Sequence, residues 1–140
     1  MFPTFFRNSL NVPRHGGAAV LMCAVACLTL SGCGGPRNQP VKVDLAKATL
    51  NQVLEHWKSG GNMEDLRKRS PEIVVQEAQW TNGAKLQEFQ VIGDGRAEDA
   101  NWYCEVELTL IPADGGEPKK KNVTYVVGTA PVLTVFHAIL

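Results

Sequence analysis

Apolar positions along the chain change their period twice. Residues 18–30, Ala-Ala-Val-Leu-Met-Cys-Ala-Val-Ala-Cys-Leu-Thr-Leu, form one nearly continuous apolar run of 13 residues. Leu50, Val53, Leu54 and Trp57 then recur at helical spacing, which predicts an amphipathic helix over Leu45–Ser59 with Asp44 as its cap. Gly60-Gly61 supplies its stop, and Asn62 caps a second, short helix from Met63 to about Arg69, ended by Ser70-Pro71. From Ile73 the period becomes two. Ile73-Val74-Val75 opens a strand, Trp80-Thr-Asn-Gly83 reads as a turn, and a second strand runs over Lys85–Ile92, closed by Gly93-Asp-Gly95. The third strand alternates most clearly: Trp102, Cys104, Val106, Leu108 and Leu110 share one face. Ala113-Asp-Gly-Gly-Glu117 is a hairpin turn. A fourth strand over Lys121–Val127 places Val123, Tyr125 and Val127 on one face; Gly128-Thr-Ala-Pro131 turns the chain, and Val132–Ile139 is the fifth strand. Helices followed by an antiparallel meander predict an α+β domain: an amphipathic helix plus a short helix, packed on a curved antiparallel sheet of about four to five strands.

Composition changes the picture chiefly at the N-terminus. The 140 residues carry 14 Lys+Arg and 14 Asp+Glu, a balance that argues against electrostatically driven nucleic-acid binding. Met1–Gly17 holds Arg7 and Arg14 and no carboxylate. A basic stretch followed by an apolar run of this length is the pattern of a signal peptide. The 13-residue run spans only about 20 Å as a helix, short of the roughly 30 Å of a bilayer core, so a permanent transmembrane helix is the weaker reading. Leu30-Ser31-Gly32-Cys33 resembles the lipobox of bacterial lipoproteins: an aliphatic residue, two small ones, then cysteine. That resemblance implies cleavage before Cys33 and acyl chains on it. The predicted organisation is a removed signal peptide over 1–32, a lipidated tether over 33–43 and one α+β domain over 44–140. Residues 33–140 carry 12 Lys+Arg against 14 Asp+Glu, a formal charge of −2. Cys23 and Cys27 leave with the peptide and Cys33 is modified, so Cys104 has no intramolecular disulfide partner.

The order helix, short helix, long antiparallel strands is similar to the cystatin-like group that includes nuclear-transport-factor-two-like domains. The phrase Val123-Thr-Tyr-Val-Val-Gly-Thr-Ala-Pro131, with Trp80 and Gly83 upstream, resembles a family of small lipoproteins of unassigned role from planctomycete-type bacteria. Together these likenesses imply a lipid-anchored envelope lipoprotein with a cystatin-like domain outside the cytoplasm, on the periplasmic side or the cell surface. Enzymes on related folds, such as ketosteroid isomerase, work with a carboxylate base and tyrosine or acid donors in an apolar cone. Those residues find no one-to-one match here, so no catalytic assignment follows.

Each chemistry-bearing residue has a plain structural reading. His56 and His137 are separated and lack a third soft ligand, which makes a poor zinc set. Cys104 alternates with core residues and reads as packing. The acids of Asp94–Asp99 read as a solvated turn, since Arg96 stands where a calcium ligand would be useful. Lys119-Lys-Lys121 reads as a solvated strand edge. The Asn122-Val-Thr124 sequon is chance in this setting. The expectation is therefore a non-enzymatic module with no metal and no cofactor, held to the membrane through Cys33, that binds an envelope protein or a small ligand through its sheet. The alternative is a small enzyme or ligand carrier with a cone-shaped pocket between helix and sheet, for which Trp102, Tyr125 and His137 are the first pocket residues.

Overall fold

The computed structural model describes residues 39–139. The expected signal peptide over 1–32, the lipobox-like Leu30–Cys33 and the first part of the expected tether lie outside the described residues. No helix among the described residues is long and apolar enough to cross a membrane.

The domain is α+β. Helix α1 spans Val43–Lys58 and α2 spans Met63–Arg67. Strand β1 (Ile73–Gln76) is followed by a one-turn helix α3 (Ala78–Thr81), then β2 (Lys85–Glu98), β3 (Asn101–Ile111), β4 (Lys119–Gly128) and β5 (Leu133–His137). The five strands form one mixed sheet in the order β1-β5-β4-β3-β2, not closed into a barrel. The expected meander holds for β2 through β5, which pair antiparallel with their chain neighbours. β1 departs from it. It lies beside β5 and parallel to it, with Ile73 opposite Leu133 and Val75 opposite Val135. A parallel neighbour requires a long crossover, and here the chain between β1 and β5 is the rest of the sheet.

The alternation of β3 sets which face is inside. Trp102, Cys104, Val106, Leu108 and Leu110 are all buried, as are Val123, Tyr125 and Val127 on β4. α1 covers this face with Ala46, Thr49, Leu50, Val53, Leu54 and Trp57, one turn more than the predicted stripe. Removing each large aliphatic side chain from water contributes roughly 1.5–3 kcal/mol, so this seam accounts for much of the helix's hold on the sheet. α2 packs against β1 and buries Leu66 completely. The opposite face of β3 and β4 carries Tyr103, Glu105, Glu107, Asn122 and Thr124, none of them buried.

Several boundaries differ from the sequence reading, three of them for an identifiable local reason. α1 begins at Val43 rather than Leu45, so Lys42 and not Asp44 occupies its cap. The Lys42 side chain makes no cap bond, but its backbone N–H donates to Thr129 Oγ1 at 3.0 Å. Asp44 lies in the first turn, where its charge favours the helix dipole. Trp80-Thr81 is helical rather than a turn, because Glu77 caps α3 with its own carboxyl. β2 does not stop at Gly93-Asp-Gly95. It runs on to Glu98 through register shifts against β3. Gly93 and Gly95 take φ of 69° and 71°, the left-handed region that a bulge of this kind needs. The acids of 94–98 are thus strand residues, and only Asp99, at φ 52°, sits in the turn. β5 is shorter than expected, Leu133–His137.

Asn62 does cap α2, accepting from the Glu64 N–H at 3.0 Å. The first half of β4 explains its lysines. β5 pairs only with Tyr125–Gly128, so Lys119–Lys121 lie on a stretch that β5 leaves free. Lys120 meets Glu107 at 2.7 Å across β3.

Candidate functional site

Two features stand out, joined through α3. The first is a buried polar cluster. Glu77 follows β1 directly and is 2% exposed. Its Oε1 accepts from the Gln79 backbone N–H at 2.9 Å and lies 3.1 Å from His137 Nδ1. Its Oε2 accepts from the Tyr125 hydroxyl at 2.6 Å. A carboxyl taken out of water costs several kcal/mol unless its oxygens find such partners, and here each oxygen has at least one. Tyr125 is itself buried, and burial first, then the neighbouring Glu77, pushes its hydroxyl well above the ordinary 10.0. It therefore stays a donor. The tyrosine and His137 rings lie 5.9 Å apart on neighbouring strands.

The second feature is an open cleft of about 930 Å³ at the C-terminal end of α1. Trp57 and Trp80 form its aromatic wall, stacked with centroids 5.2 Å apart and planes within 8°. Trp57 is buried and donates its indole N–H to the Ala84 carbonyl at 3.0 Å. Trp80 is half-buried. Lys58, Ser59, Asn62, Glu64, Thr81 and Lys85 supply a polar rim. His56 braces the wall: its Nε2 meets the Asn62 carbonyl at 2.9 Å and its ring tilts against Trp80 at 6.2 Å. Gly61 leaves room for it, since a Cβ there would run into the His56 ring and the ring would have to move. The Glu77 cluster holds this wall in place. β4 and β5 fix Glu77, Glu77 fixes the first turn of α3, and α3 carries Trp80.

The structure brings two of the three proposed pocket residues together and separates the third. Tyr125 and His137 share Glu77; Tyr125 is in the core, and His137 keeps a side chain 17% exposed. Trp102 is 1% exposed and supports the β2 bulge instead, donating its indole N–H to the Asp94 carbonyl at 3.1 Å. None of the three lines the Trp57–Trp80 cleft, nor the smaller hollow at the other end of α1. The space between helix and sheet is occupied by core side chains. Cys104 lies in that core, and burial raises its thiol above the ordinary 9.0, away from thiolate chemistry. Among the described residues no three His, Cys, Asp or Glu side chains gather as a metal site.

Sequence reasoning did not single out Glu77, and it placed Trp57 on the helical stripe and Trp80 in a turn without bringing the two together. The helical stripe already carries Trp57, but nothing local places Trp80 over it. What the pair can do is clear from its chemistry: an indole wall offers a flat apolar surface, and the rim offers amide, hydroxyl, ammonium and carboxylate groups. The Glu77–His137 contact resembles the orienting half of an acid–base pair, but the residues that the structure sets around it are a tyrosine and a helix cap, not a nucleophile. The chain matches no family model, no curated protein and no solved structure.

Proposed function

We propose that this chain is a lipid-anchored cell-envelope lipoprotein whose domain, outside the cytoplasm, is a non-enzymatic binding module, and that the Trp57–Trp80 cleft is its binding surface. The observation that carries the binding role is the cleft itself. It is concave, it joins a stacked indole pair to a ring of polar groups, and a buried hydrogen-bonded cluster fixes its wall. Concave sites of mixed lining are where small ligands and protein anchors are held. The anchor rests on Leu30-Ser31-Gly32-Cys33 at the end of the apolar run. The helix laid over long antiparallel strands supports the cystatin-like likeness, and we carry it as part of the same proposal.

Membrane fractionation of cells expressing the full chain, with mass analysis of the peptide beginning at Cys33, tests the anchor. The expected result is a chain that begins at Cys33, carries acyl mass and sediments with membranes, while Cys33→Ala releases it. A chain retaining residues 1–32, or an unmodified Cys33, overturns it. Crosslinking in the same membranes, followed by capture and mass spectrometry, tests the binding role. One abundant adduct that Trp80→Ala abolishes is expected. Adducts indifferent to Trp80 place binding elsewhere.

A further inference from the structure

We propose that the aliphatic hollow at the N-terminal end of α1 docks onto the surface of the lipid bilayer, setting the domain upright on the membrane. The proposal rests on the lipid-anchor reading above. The hollow measures about 260 Å³ and is assembled from three separate segments: Leu45 in the first turn of α1, Pro71 before β1, and Pro131 and Val132 in the β4–β5 turn, with the buried Leu133 beside them. Leu45 and Val132 are 39% and 38% exposed, two of only five large hydrophobic residues so exposed among the described residues. Both prolines are exposed as well. The patch is therefore mainly aliphatic, its polar lining limited to the half-buried Thr129 and the exposed Glu72, with no aromatic wall and no buried polar side chain to orient a ligand.

Its place on the chain identifies the occupant. The Lys42 N–H donates to Thr129 Oγ1, and Thr129 lines the hollow; the Val41 N–H donates to the Asp99 carbonyl at 3.1 Å. The polypeptide thus leaves toward Cys33 from beside the hollow. Seven residues, 34–40, separate Cys33 from Val41, a span of at most ~28 Å when fully extended. An anchored Cys33 holds this end of the domain within that reach of the headgroups, where a contact too weak to form in free solution becomes intramolecular. The β3–β4 hairpin lies at the opposite end of β4, roughly 30 Å further out. Neighbouring charges are of both signs, Lys42 at the cap of α1, Asp44 in its first turn, Glu72 at the rim and Asp99 beside Val41, so the attraction is apolar burial at the interface and not an anionic headgroup. In this pose the Trp57–Trp80 cleft, at the far end of the 16-residue α1, faces away from the membrane.

The test places an environment-sensitive fluorophore on the full-length lipoprotein, reconstituted in phosphatidylcholine vesicles carrying a nitroxide just below the headgroups. Val132→Cys reports the hollow, and Glu117→Cys in the hairpin reports the far end; Cys104 is buried and escapes labelling. Docking predicts quenching at position 132 severalfold stronger than at 117, and a loss of most of that difference on Leu45→Ser, an exposed change that leaves the fold intact. Vesicle flotation of the same samples separates the two claims. A chain that floats but is quenched equally at both positions overturns the docking and leaves the anchor standing. A chain that does not float and carries no acyl mass overturns both.

Discussion

The two ends of α1 differ in kind although one helix builds both. At its N-terminal end, Leu45 lines a mainly aliphatic hollow with Pro71, Pro131 and Val132, whose polar lining is the half-buried Thr129 and the exposed Glu72 and which has no aromatic wall. At its C-terminal end, Trp57 stacks on Trp80, and the helix turn that carries Trp80 is tied by Glu77 to Tyr125 and His137. Apolar surface alone gives adhesion without orientation, which suits a fluid partner such as a bilayer. An aromatic wall pinned by buried hydrogen bonds gives a fixed shape, which suits a specific one. The comparison teaches that the polar cluster, although it lines neither cavity, is what distinguishes the pinned aromatic end of the helix from the aliphatic one, and on the proposed reading a selective end from an adhesive one.

The sharpest way to break the comparison is Glu77→Ala. It strands the Tyr125 hydroxyl, the Gln79 N–H and His137 together in a buried site. Each buried donor left unpaired costs about 1–3 kcal/mol, so the Tyr125 hydroxyl and Gln79 N–H together are expected to cost about 3–5 kcal/mol, measured as the loss of unfolding free energy in urea. Glu77→Gln, which keeps an acceptor, is expected to lose clearly less. Gly95→Ala attacks the other half of the sheet. A Cβ there would stand 2.5 Å from the Tyr103 carbonyl oxygen and 2.6 Å from the Trp102 indole, at a φ of 71°. The expected cost is about 2–4 kcal/mol, from a left-handed alanine plus the displaced bulge. Because Trp102 and not Trp80 is displaced, binding in the cleft should survive in whatever fraction folds.

Alkaline pH probes the cluster without a mutation. Tyr125 is raised above the ordinary 10.0, chiefly by burial and then by Glu77. Below that value both folded and unfolded chains hold the proton and stability is unchanged. Above it the unfolded phenol ionises while the folded one does not, so stability falls by about 1.4 kcal/mol per pH unit. Denaturation midpoints from pH 8 to 11 should stay level and then drop, and Tyr125→Phe should flatten the drop. Trp80→Ala is milder still for the fold. Trp80 is half-buried, so the expected cost is about 1–2 kcal/mol, while cleft-dependent binding is lost. A variant that binds undiminished removes the cleft from the account.

The α+β class and most of the core were legible because they rest on local periodicity. The stripe Leu50, Val53, Leu54 and Trp57 and the alternation of β3 lead to the buried face directly, and Asn62 caps α2 through a bond two residues away. What was not legible depends on distant partners. β1 sits beside β5, a pairing across some sixty residues that no short window contains. Glu77 lies in the polar stretch Gln76-Glu77-Ala78-Gln79, which reads as solvated. Its burial is decided by Tyr125 and His137, 48 and 60 residues further along. Gly93 and Gly95 read as a strand end because glycine usually breaks regular structure; here the same freedom lets β2 bulge and continue. Of the proposed pocket residues, Tyr125 and His137 do meet, but at a structural carboxyl, and Trp102 serves the bulge.

Site-specific photocrosslinking in native membranes tests the central claim most directly. A photoreactive residue is placed at Thr81 on the cleft rim, and another at Thr109 on the open face of the sheet. The account predicts one discrete adduct from position 81, absent when Trp80 is alanine, and none of comparable yield from position 109. An adduct from position 109 that is indifferent to Trp80, with none from position 81, would contradict it.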